Sequence, residues 1–249
     1  MTVRTVRRLD DDERTDTVSA GLADMEIVDL SPSLVAGLPG PATVGMSIEK
    51  TVHSKPIPEG THWQGTSVKM YTHTGAHIDA LIHVSEGGWQ TEDIALEQVV
   101  GDGVVLDFSQ KGPSEPIDVP DLEPHRDRIR PGDMVLLRTD WSDRFLGKPE
   151  FFNDSPYVTE DGVKWLVSRQ PKLVGFDFTE DFCIRDVNYD PRHLYCHQLL
   201  MGAGIPILEQ LTNLGALPAD SRFLLFAPFV KLVGSDGAMA RVFAMVERA

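Results

Sequence analysis

The amino-acid sequence predicts an α/β fold built on a mixed sheet or a small barrel-like core. Segments with strand character outnumber those with helix character, and they do not follow the regular strand-helix alternation of a doubly wound parallel fold. The chain has 249 residues, 41% of them hydrophobic, which is enough for one large core. Because neither a repeat of fixed period nor a low-complexity linker divides it, residues 25–249 are predicted to form a single domain.

The strand predictions rest on short β-branched runs bounded by Gly, Pro or Asp. In chain order these runs are 26–30, 66–72, 103–108, 133–138, 172–178, 223–226 and 239–246. Apolar residues spaced near 3.6 predict helices over 94–99, 121–127, 160–168 and 205–211. Thr159, followed by two acidic residues, fits the start of the third helix.

The net charge and the cysteines of the chain limit the partners and the cellular compartment that we expect for it. A formal net charge of −15 repels phosphates, which argues against nucleic acid and anionic membranes as partners and favours small molecules or copies of the same chain. Residues 1–24 are rich in Arg, Asp and Glu and lack an apolar run, so they predict a mobile charged arm and neither a signal peptide nor a membrane span. Cys183 and Cys196 predict reduced thiols and a cytoplasmic protein.

Four potential metal ligands lie within eleven residues, at His73, His77, Asp79 and His83. All four have odd numbers, so an extended strand would carry them on one face and place Ala and Ile side chains on the other. A helix would point the last two away from the first two. A straight strand would separate the outer histidines by about 33 Å, and we therefore expect a bend at Gly75, since glycine tolerates it.

Two other interpretations of this cluster stay open. The histidines could be ordinary half-buried residues, although burying so many titratable groups without a metal or a charge partner is costly. The cluster could also be a structural metal site, but structural zinc sites are rich in cysteine and none lies near residues 73–83. Imidazole together with carboxylate is typical of sites that keep a water molecule, which favours a catalytic metal site.

His197 and Glu209 are isolated polar residues within two apolar segments, 194–200 and 205–211. A charged side chain in such a segment points either to solvent or to a cation, and spacing alone does not decide between them. Both residues are therefore candidates for further metal ligands.

The segment from His73 to His83 resembles the HxGTHxDxPxH motif of the cyclase superfamily, which includes bacterial kynurenine formamidases and isatin hydrolases. Further segments match that family in the same order: 135–141, 175–177, 197–200, 209–214 and 228–232. The resemblance runs from about residue 27 to the C-terminus. It implies a swivelling β/β/α domain around a small barrel, assembled into homodimers or homotetramers.

The resemblance also implies which residues bind metal. His73, His77 and Asp79 take the ligand positions of the motif, with Asp79 bridging two ions in the binuclear members. His197 and Glu209, twelve residues apart as in the family, take the remaining ligand positions. The implied cofactor is one or two divalent ions per chain, zinc or manganese, because mixed imidazole and carboxylate ligation suits both.

Three positions depart from the family pattern. Its Thr is Ala76 here and its Pro is Leu81, which removes a hydroxyl group and makes the turn that places His83 less fixed. Near the C-terminus, Ala240 precedes Arg241 where many members have proline. These changes leave the predicted ligands intact, and they bear on which substrate the chain takes.

The leading function hypothesis is hydrolysis of the C–N bond of a small amide or cyclic amide, aromatic ones included. A metal-bound hydroxide would attack the carbonyl carbon, and His83, in the acid/base position of the family, would pass a proton to the leaving nitrogen. A metal-dependent lyase or cyclase that stabilises an enolate is an alternative, and so is a non-catalytic small-molecule-binding homologue. A Cys196 nucleophile with His197 as base is disfavoured, because adjacent residues of a strand face opposite sides.

Aromatic and charged residues elsewhere give weaker candidates. Trp63 and Trp89 flank the metal motif and could form an aromatic wall for the substrate. Asp177 is expected to support the site or a turn instead of binding metal. The charged residues between 180 and 186, including Glu180 and Asp181, are expected to form a solvated salt-bridge loop.

Overall fold

Strands dominate the fold, which is known from a computed structural model describing residues 24–38, 46–52 and 63–248. The strands are β1 (Met25–Asp29), β2 (Ser47–Val52), β3 (Gln64–Lys69), β4 (His77–Asp79), β5 (Val100–Asp107), β6 (Pro116–Ile117), β7 (Met134–Arg138), β8 (Tyr157–Val158), β9 (Leu173–Phe176), β10 (Ile207–Glu209), β11 (Phe223–Phe226), β12 (Gly237–Met239) and β13 (Phe243–Glu247). The α-helices of these residues are α1 (Val119–Leu122), α2 (Trp141–Phe145), α3 (Pro149–Asn153) and α4 (Glu160–Ser168).

One large mixed sheet organises these elements. Its spatial order is β1-β13-β11-β5-β7-β9-β10-β4-β12, and it curls into a half-barrel. The hairpin β2–β3 and the pair β6–β8 form separate two-stranded sheets. The predicted α/β class with a mixed, barrel-like sheet is confirmed.

Four parallel strands, β5, β7, β9 and β10, form the centre of the sheet. Parallel strands are covered on both faces, and the middle of each of these strands is accordingly apolar, with charged residues mainly towards the ends. On one face Leu137 of β7 packs in a core that includes Leu166 of α4. On the other face Leu136 packs in a second core with Val105 and Leu208. The strand ends are thereby held in fixed positions.

Antiparallel strands continue the sheet on both sides. β11, β13 and β1 follow β5, while β4 pairs with β10 on one side and with β12 on the other. The register sets Glu209 opposite His77, and it sets Gly237 opposite Asp79. Residues from three distant parts of the chain therefore meet around β4.

The secondary-structure predictions hold best for long periodic segments. Helix α4 has the predicted bounds, and the Thr159 hydroxyl caps it by accepting a hydrogen bond from the Gly162 amide at 3.0 Å. The predicted helix over 205–211 is wrong, because this segment contains β10; a short, fully buried apolar run does not distinguish strand from helix. The predicted strand over 239–246 is two strands, β12 and β13, with a break between them.

Two predictions are not tested by the fold. Residues 1–23 of the expected arm lie outside the described residues, and the single-domain assignment of 25–249 stays a prediction. Among the described residues no helix combines the length and the apolar character that a membrane crossing requires.

Candidate metal centre

The motif segment bends where the sequence predicts it. Gly75 has φ +72°, a left-handed conformation that favours glycine, and a Cβ there would also force the Leu34 side chain, 2.2 Å away, to move. The strand itself is limited to His77–Asp79, shorter than the parity argument expected. His77 and Asp79 still share one side of it, and Ile78 is buried in the core on the other.

His73, His77, Asp79 and His83 meet in space, and we call them the motif wall. Asp79 Oδ1 lies 2.8 Å from His73 Nδ1 and 3.3 Å from His77 Nε2. The Nδ1 atom of His77 is 2.7 Å from the carbonyl oxygen of Gly75. Because a carbonyl only accepts, His77 donates from Nδ1 and presents the lone pair of Nε2 to the site.

His83 reaches the same place through a different local structure. Residues Leu81–His83 form a 3₁₀ turn closed by a hydrogen bond from the His83 amide to the Ala80 carbonyl at 2.9 Å. The His83 ring stacks on that of His73, with centroids 4.2 Å apart. The turn therefore forms although leucine stands at position 81 in place of the proline of the motif. The Ile82 amide donates a hydrogen bond to the Trp89 carbonyl, which fixes the backbone there.

The opposite side of the site carries His197, Glu209, Glu180 and Asp181, which we call the acidic wall. His197 Nε2 lies 3.1 Å from Glu209 Oε1 and 3.5 Å from Asp79 Oδ2. On its other edge His197 Nδ1 lies 2.7 Å from Asp181 Oδ2 and 3.4 Å from Glu180 Oε1. All five predicted ligands and His83 are thus brought together across the two walls.

The prediction of a solvated loop for Glu180 and Asp181 is wrong. Both residues are 1% exposed. They lie four and five residues beyond the carboxyl end of β9, the edge at which parallel sheets gather their sites. Asp181 also accepts a hydrogen bond from the Cys196 amide at 2.9 Å. A run of charged residues looks like a surface loop in sequence, and the fold instead turns it inward against His197.

Buried polar atoms show that the residues present fit a divalent metal ion. Among the described residues, His77 Nε2 and both carboxylate oxygens of Asp79 are buried without a partner in hydrogen-bonding geometry. Such orphaned lone pairs are costly, and a cation at their focus removes the cost. Imidazole and carboxylate are the ligand types that zinc and manganese accept.

The electrostatics of the site favour a positive charge between the walls. Burial disfavours the His73 imidazolium, but the carboxylates of Asp79 and Asp236 outweigh this and raise the pKa of His73 to about 10. On the acidic wall, burial and the nearby carboxylate of Glu209 raise the pKa of Glu180 well above its ordinary value. The carboxyl groups of the site therefore supply more negative charge than the imidazoles alone neutralise.

A cavity of about 330 Å³ opens onto both walls, a size suited to a small organic molecule. Its non-ionic lining includes Tyr71, Phe152, Ile184, Tyr189 and Leu194. Neither tryptophan predicted as a substrate wall is among the described residues that line it: Trp63 is 52% exposed, and Trp89 packs against the two cores. Flanking the motif in sequence did not place them in the cavity.

Asp177 supports a turn, as expected. Its carboxylate accepts hydrogen bonds from the amide and the hydroxyl of Thr139, both at 2.8 Å, and from the amide of Asp140. Burial raises the pKa of Asp177 to about 7, while these hydrogen bonds act in the opposite direction. The carboxyl group thereby ties the end of β7 to the end of β9.

Asp236 is a site residue that the sequence reasoning missed. Its Oδ2 atom lies 3.1 Å from His73 Nε2 and 3.2 Å from His83 Nδ1. In the sequence it sits in a short polar run, Gly234 to Gly237, that resembles any surface turn. Only the pairing of β12 with β4 brings it to the motif wall.

Comparison with known proteins places the chain in a family. Residues 28–180 match the Cyclase family model. The chain is 30% identical over 228 residues to a kynurenine formamidase of Erythrobacter litoralis, covering 90% of this chain and 95% of that protein. It is 30% identical over 200 residues to an isatin hydrolase of Roseibium aggregatum, covering 71% and 73%.

A solved structure agrees with these matches. It is described as a potential metal-dependent hydrolase with cyclase activity, is 29% identical, and superposes with a TM-score of 0.68 over 90% of this chain and 99% of that one. The family model matches more than half of the chain, the relatives align along most of their length, and the fold is shared. The chain belongs to the cyclase family.

Proposed function

We propose that this chain is a metal-dependent hydrolase that cleaves the C–N bond of a small amide or cyclic amide. The observation that carries the proposal is the set of partnerless buried atoms, His77 Nε2 and both oxygens of the Asp79 carboxylate, with Asp79 lining a cavity of substrate size. The relatives named kynurenine formamidase and isatin hydrolase act on such bonds, which supports the same class of reaction here.

Five residues would hold the metal. His73, His77 and Asp79 offer ligand atoms from the motif wall, and His197 and Glu209 offer theirs from the acidic wall. Because one Asp79 oxygen faces the motif wall and the other faces His197, its carboxylate is placed to serve two ions. A bound divalent ion would lower the pKa of water to roughly 7 and polarise the substrate carbonyl. We propose zinc or manganese, one or two per chain.

His83 would move the proton. It lines the cavity and is not one of the five residues proposed above to hold the metal. Burial lowers its pKa from the ordinary value, so its ring would be neutral near pH 7 and able to accept and return a proton. Because its ring stacks on that of His73, it would lie beside a substrate carbonyl held at the metal site, where the leaving nitrogen needs a proton. Tyr71, Phe152 and Tyr189 would hold a flat or aromatic part of the substrate against the cavity.

The test uses zinc- and manganese-loaded protein with N-formyl arylamines and small cyclic amides in water enriched in oxygen-18. Hydrolysis inserts one solvent oxygen into the carboxylate product, and mass spectrometry detects it. A product without solvent oxygen would instead support the lyase or cyclase alternative. Substrate binding by metal-free protein without turnover would support the non-catalytic one.

We further propose a cytoplasmic homodimer or homotetramer that binds neither nucleic acid nor membranes. Free Cys183 and Cys196 fit a reducing compartment. The hairpin β2–β3 forms a sheet of its own and exposes Val68, which is the kind of edge that a second copy covers. Light scattering on the purified full chain measures the number of copies, and a monomer at micromolar concentration would contradict this part.

A further inference from the structure

Asp236 holds two histidines of the site with one carboxylate oxygen. Its Oδ2 atom lies 3.1 Å from Nε2 of His73 and 3.2 Å from Nδ1 of His83. The other oxygen, Oδ1, accepts a hydrogen bond from the Thr72 hydroxyl at 3.4 Å. A carboxylate only accepts, so both rings must carry a hydrogen on the nitrogen that faces Asp236.

The two rings are thereby given opposite tautomers. His73 donates from Nε2, so that Nδ1, which faces Asp79 at 2.8 Å, is the nitrogen that would give up its proton and become the ligand atom when metal binds. His83 donates from Nδ1, which leaves Nε2 as the nitrogen without this restraint. A ligand histidine commonly donates its second N–H to a carboxylate that fixes its ring, and a histidine that transfers protons is oriented in the same way.

The backbone around Asp236 is built to keep this arrangement. The Ala80 amide donates a hydrogen bond to the Asp236 carbonyl at 2.9 Å, next to the strand that carries Asp79. A Cβ at Gly237 would lie 2.7 Å from Cε1 of His73, so glycine is needed for the ring to reach Asp236. The stacking of His73 and His83, with centroids 4.2 Å apart, follows from their common anchor.

We infer that Asp236 is a positioning residue that sets the tautomers of both His73 and His83, and so couples metal binding to proton transfer. The inference rests on the proposed function for its kinetic consequence, because only a hydrolase needs His83 to move a proton. Its structural consequence does not depend on any substrate. A single change at Asp236 should therefore affect both the metal affinity and the state of the His83 ring.

The experiment compares Asp236→Ala, Asp236→Asn and the control Asp107→Ala in the full chain. Asp107 is a carboxylate of β5 with the same exposure, 38% against 39% for Asp236, and it contacts Arg138 instead of the site. The readouts are the zinc dissociation constant, the tautomers of His73 and His83 from imidazole nitrogen-15 shifts of zinc-loaded protein, and kcat and KM for an amide that the wild-type protein hydrolyses.

Asp236→Ala should weaken zinc binding roughly 10–100-fold, release the Nδ1–H tautomer of His83, and lower kcat while KM stays within about twofold. Asp236→Asn keeps an accepting oxygen of the same size, so it should retain both tautomers, regain part of kcat, and bind zinc less tightly than wild type because the charge is lost. The Asp107 variant should match wild type in all three readouts.

Wild-type zinc affinity and tautomers in Asp236→Ala would overturn the inference. Should that variant not fold, Asp236→Asn decides: weaker zinc binding with retained tautomers supports the inference, and unchanged zinc affinity overturns it. If wild-type protein hydrolyses no amide while zinc affinity and tautomers respond to Asp236, the proposed function fails and the positioning role stands. If hydrolysis is found and these readouts do not respond, the positioning role alone fails.

Discussion

The motif wall and the acidic wall hold their histidines in different ways. His77 of the motif wall donates to a neutral backbone carbonyl two residues away, that of Gly75. His197 of the acidic wall faces the Asp181 carboxylate, 16 residues distant in sequence. The first contact is local and forms with the turn itself, whereas the second joins two segments that the loop between β9 and β10 must bring together.

The two walls differ in charge as well. The motif wall sets three imidazoles around one carboxylate, while the acidic wall sets three carboxyl groups, those of Glu180, Asp181 and Glu209, around one imidazole. Like charges at such distances repel unless a proton or a cation intervenes. The acidic wall should therefore depend on bound metal for its order more than the motif wall does.

Loss of Asp79 should have the largest effect, because Asp79 faces both walls. Asp79→Ala removes the carboxylate that His73, His77 and His197 approach. We expect loss of tightly bound metal and a fall in turnover of roughly 10³-fold or more, since a metal ion contributes several kcal/mol to such reactions. Mass spectrometry measures the metal content of the variant and of the wild-type protein under the same conditions. Metal retained at the wild-type level would remove Asp79 from the ligand set.

His83→Ala should have the second-largest effect on turnover, and the change should affect the motif wall alone. A positioned proton-transfer group contributes roughly 10²–10⁴-fold to the rate, and we expect a loss of kcat in that range. The metal content should stay at the wild-type level because the predicted ligands are untouched. Full turnover with full metal content would show that His83 moves no proton in the slow step.

Asp181→Ala tests the acidic wall. Without the carboxylate the His197 ring is no longer oriented through Nδ1, and the affinity for the metal on this wall should fall roughly 10–100-fold. Isothermal titration calorimetry, in which zinc is added to metal-free protein, measures this fall in affinity. Asp186→Ala, an exposed carboxylate five residues further along the same loop, is the control and should bind zinc as wild type does.

The same contrast explains what the sequence predicts and what it does not. The motif wall is a local cluster, and its ligand types, its spacing and the bend at Gly75 are visible in eleven residues. His197 and Glu209 stand out as polar residues in apolar segments, and the family resemblance assigns them. Asp236 lacks such a signal, because its partners are more than 150 residues away and only the register of β12 against β4 brings it to them.

Strand and helix predictions fail for a related reason. Apart from Glu209 itself, the segment 205–211 is buried, so its apolar spacing carries no periodicity that separates a strand from a helix. Glu180 and Asp181 were expected in solvent because charged runs usually are. The fold turns them inward at the end of β9, where their cost is offset by His197 and, as we propose, by metal.

Metal affinity should rise with pH through the neutral range. Without metal, the Asp79 and Asp236 carboxylates raise the pKa of His73 to about 10, so the ring is protonated at pH 7 and must lose a proton to become a ligand. Each displaced proton makes the affinity rise about tenfold per pH unit below that pKa. Calorimetry in two buffers of different ionisation enthalpy counts the protons released; a count of zero at pH 7 would contradict the raised pKa.

Cys196→Ser should have the smallest effect, although Cys196 adjoins His197. Its thiol is fully buried, with Sγ 3.9 Å from the Glu180 carbonyl oxygen, and burial together with the charges of Asp181 and Glu180 raises its pKa well above the ordinary value. A thiolate nucleophile is therefore absent near neutral pH. Turnover should stay within about twofold of wild type, and the matched control Cys183→Ser should behave in the same way. A large loss of kcat in Cys196→Ser alone, with full metal content, would indicate that Cys196 is a nucleophile and would contradict the metal-centred mechanism.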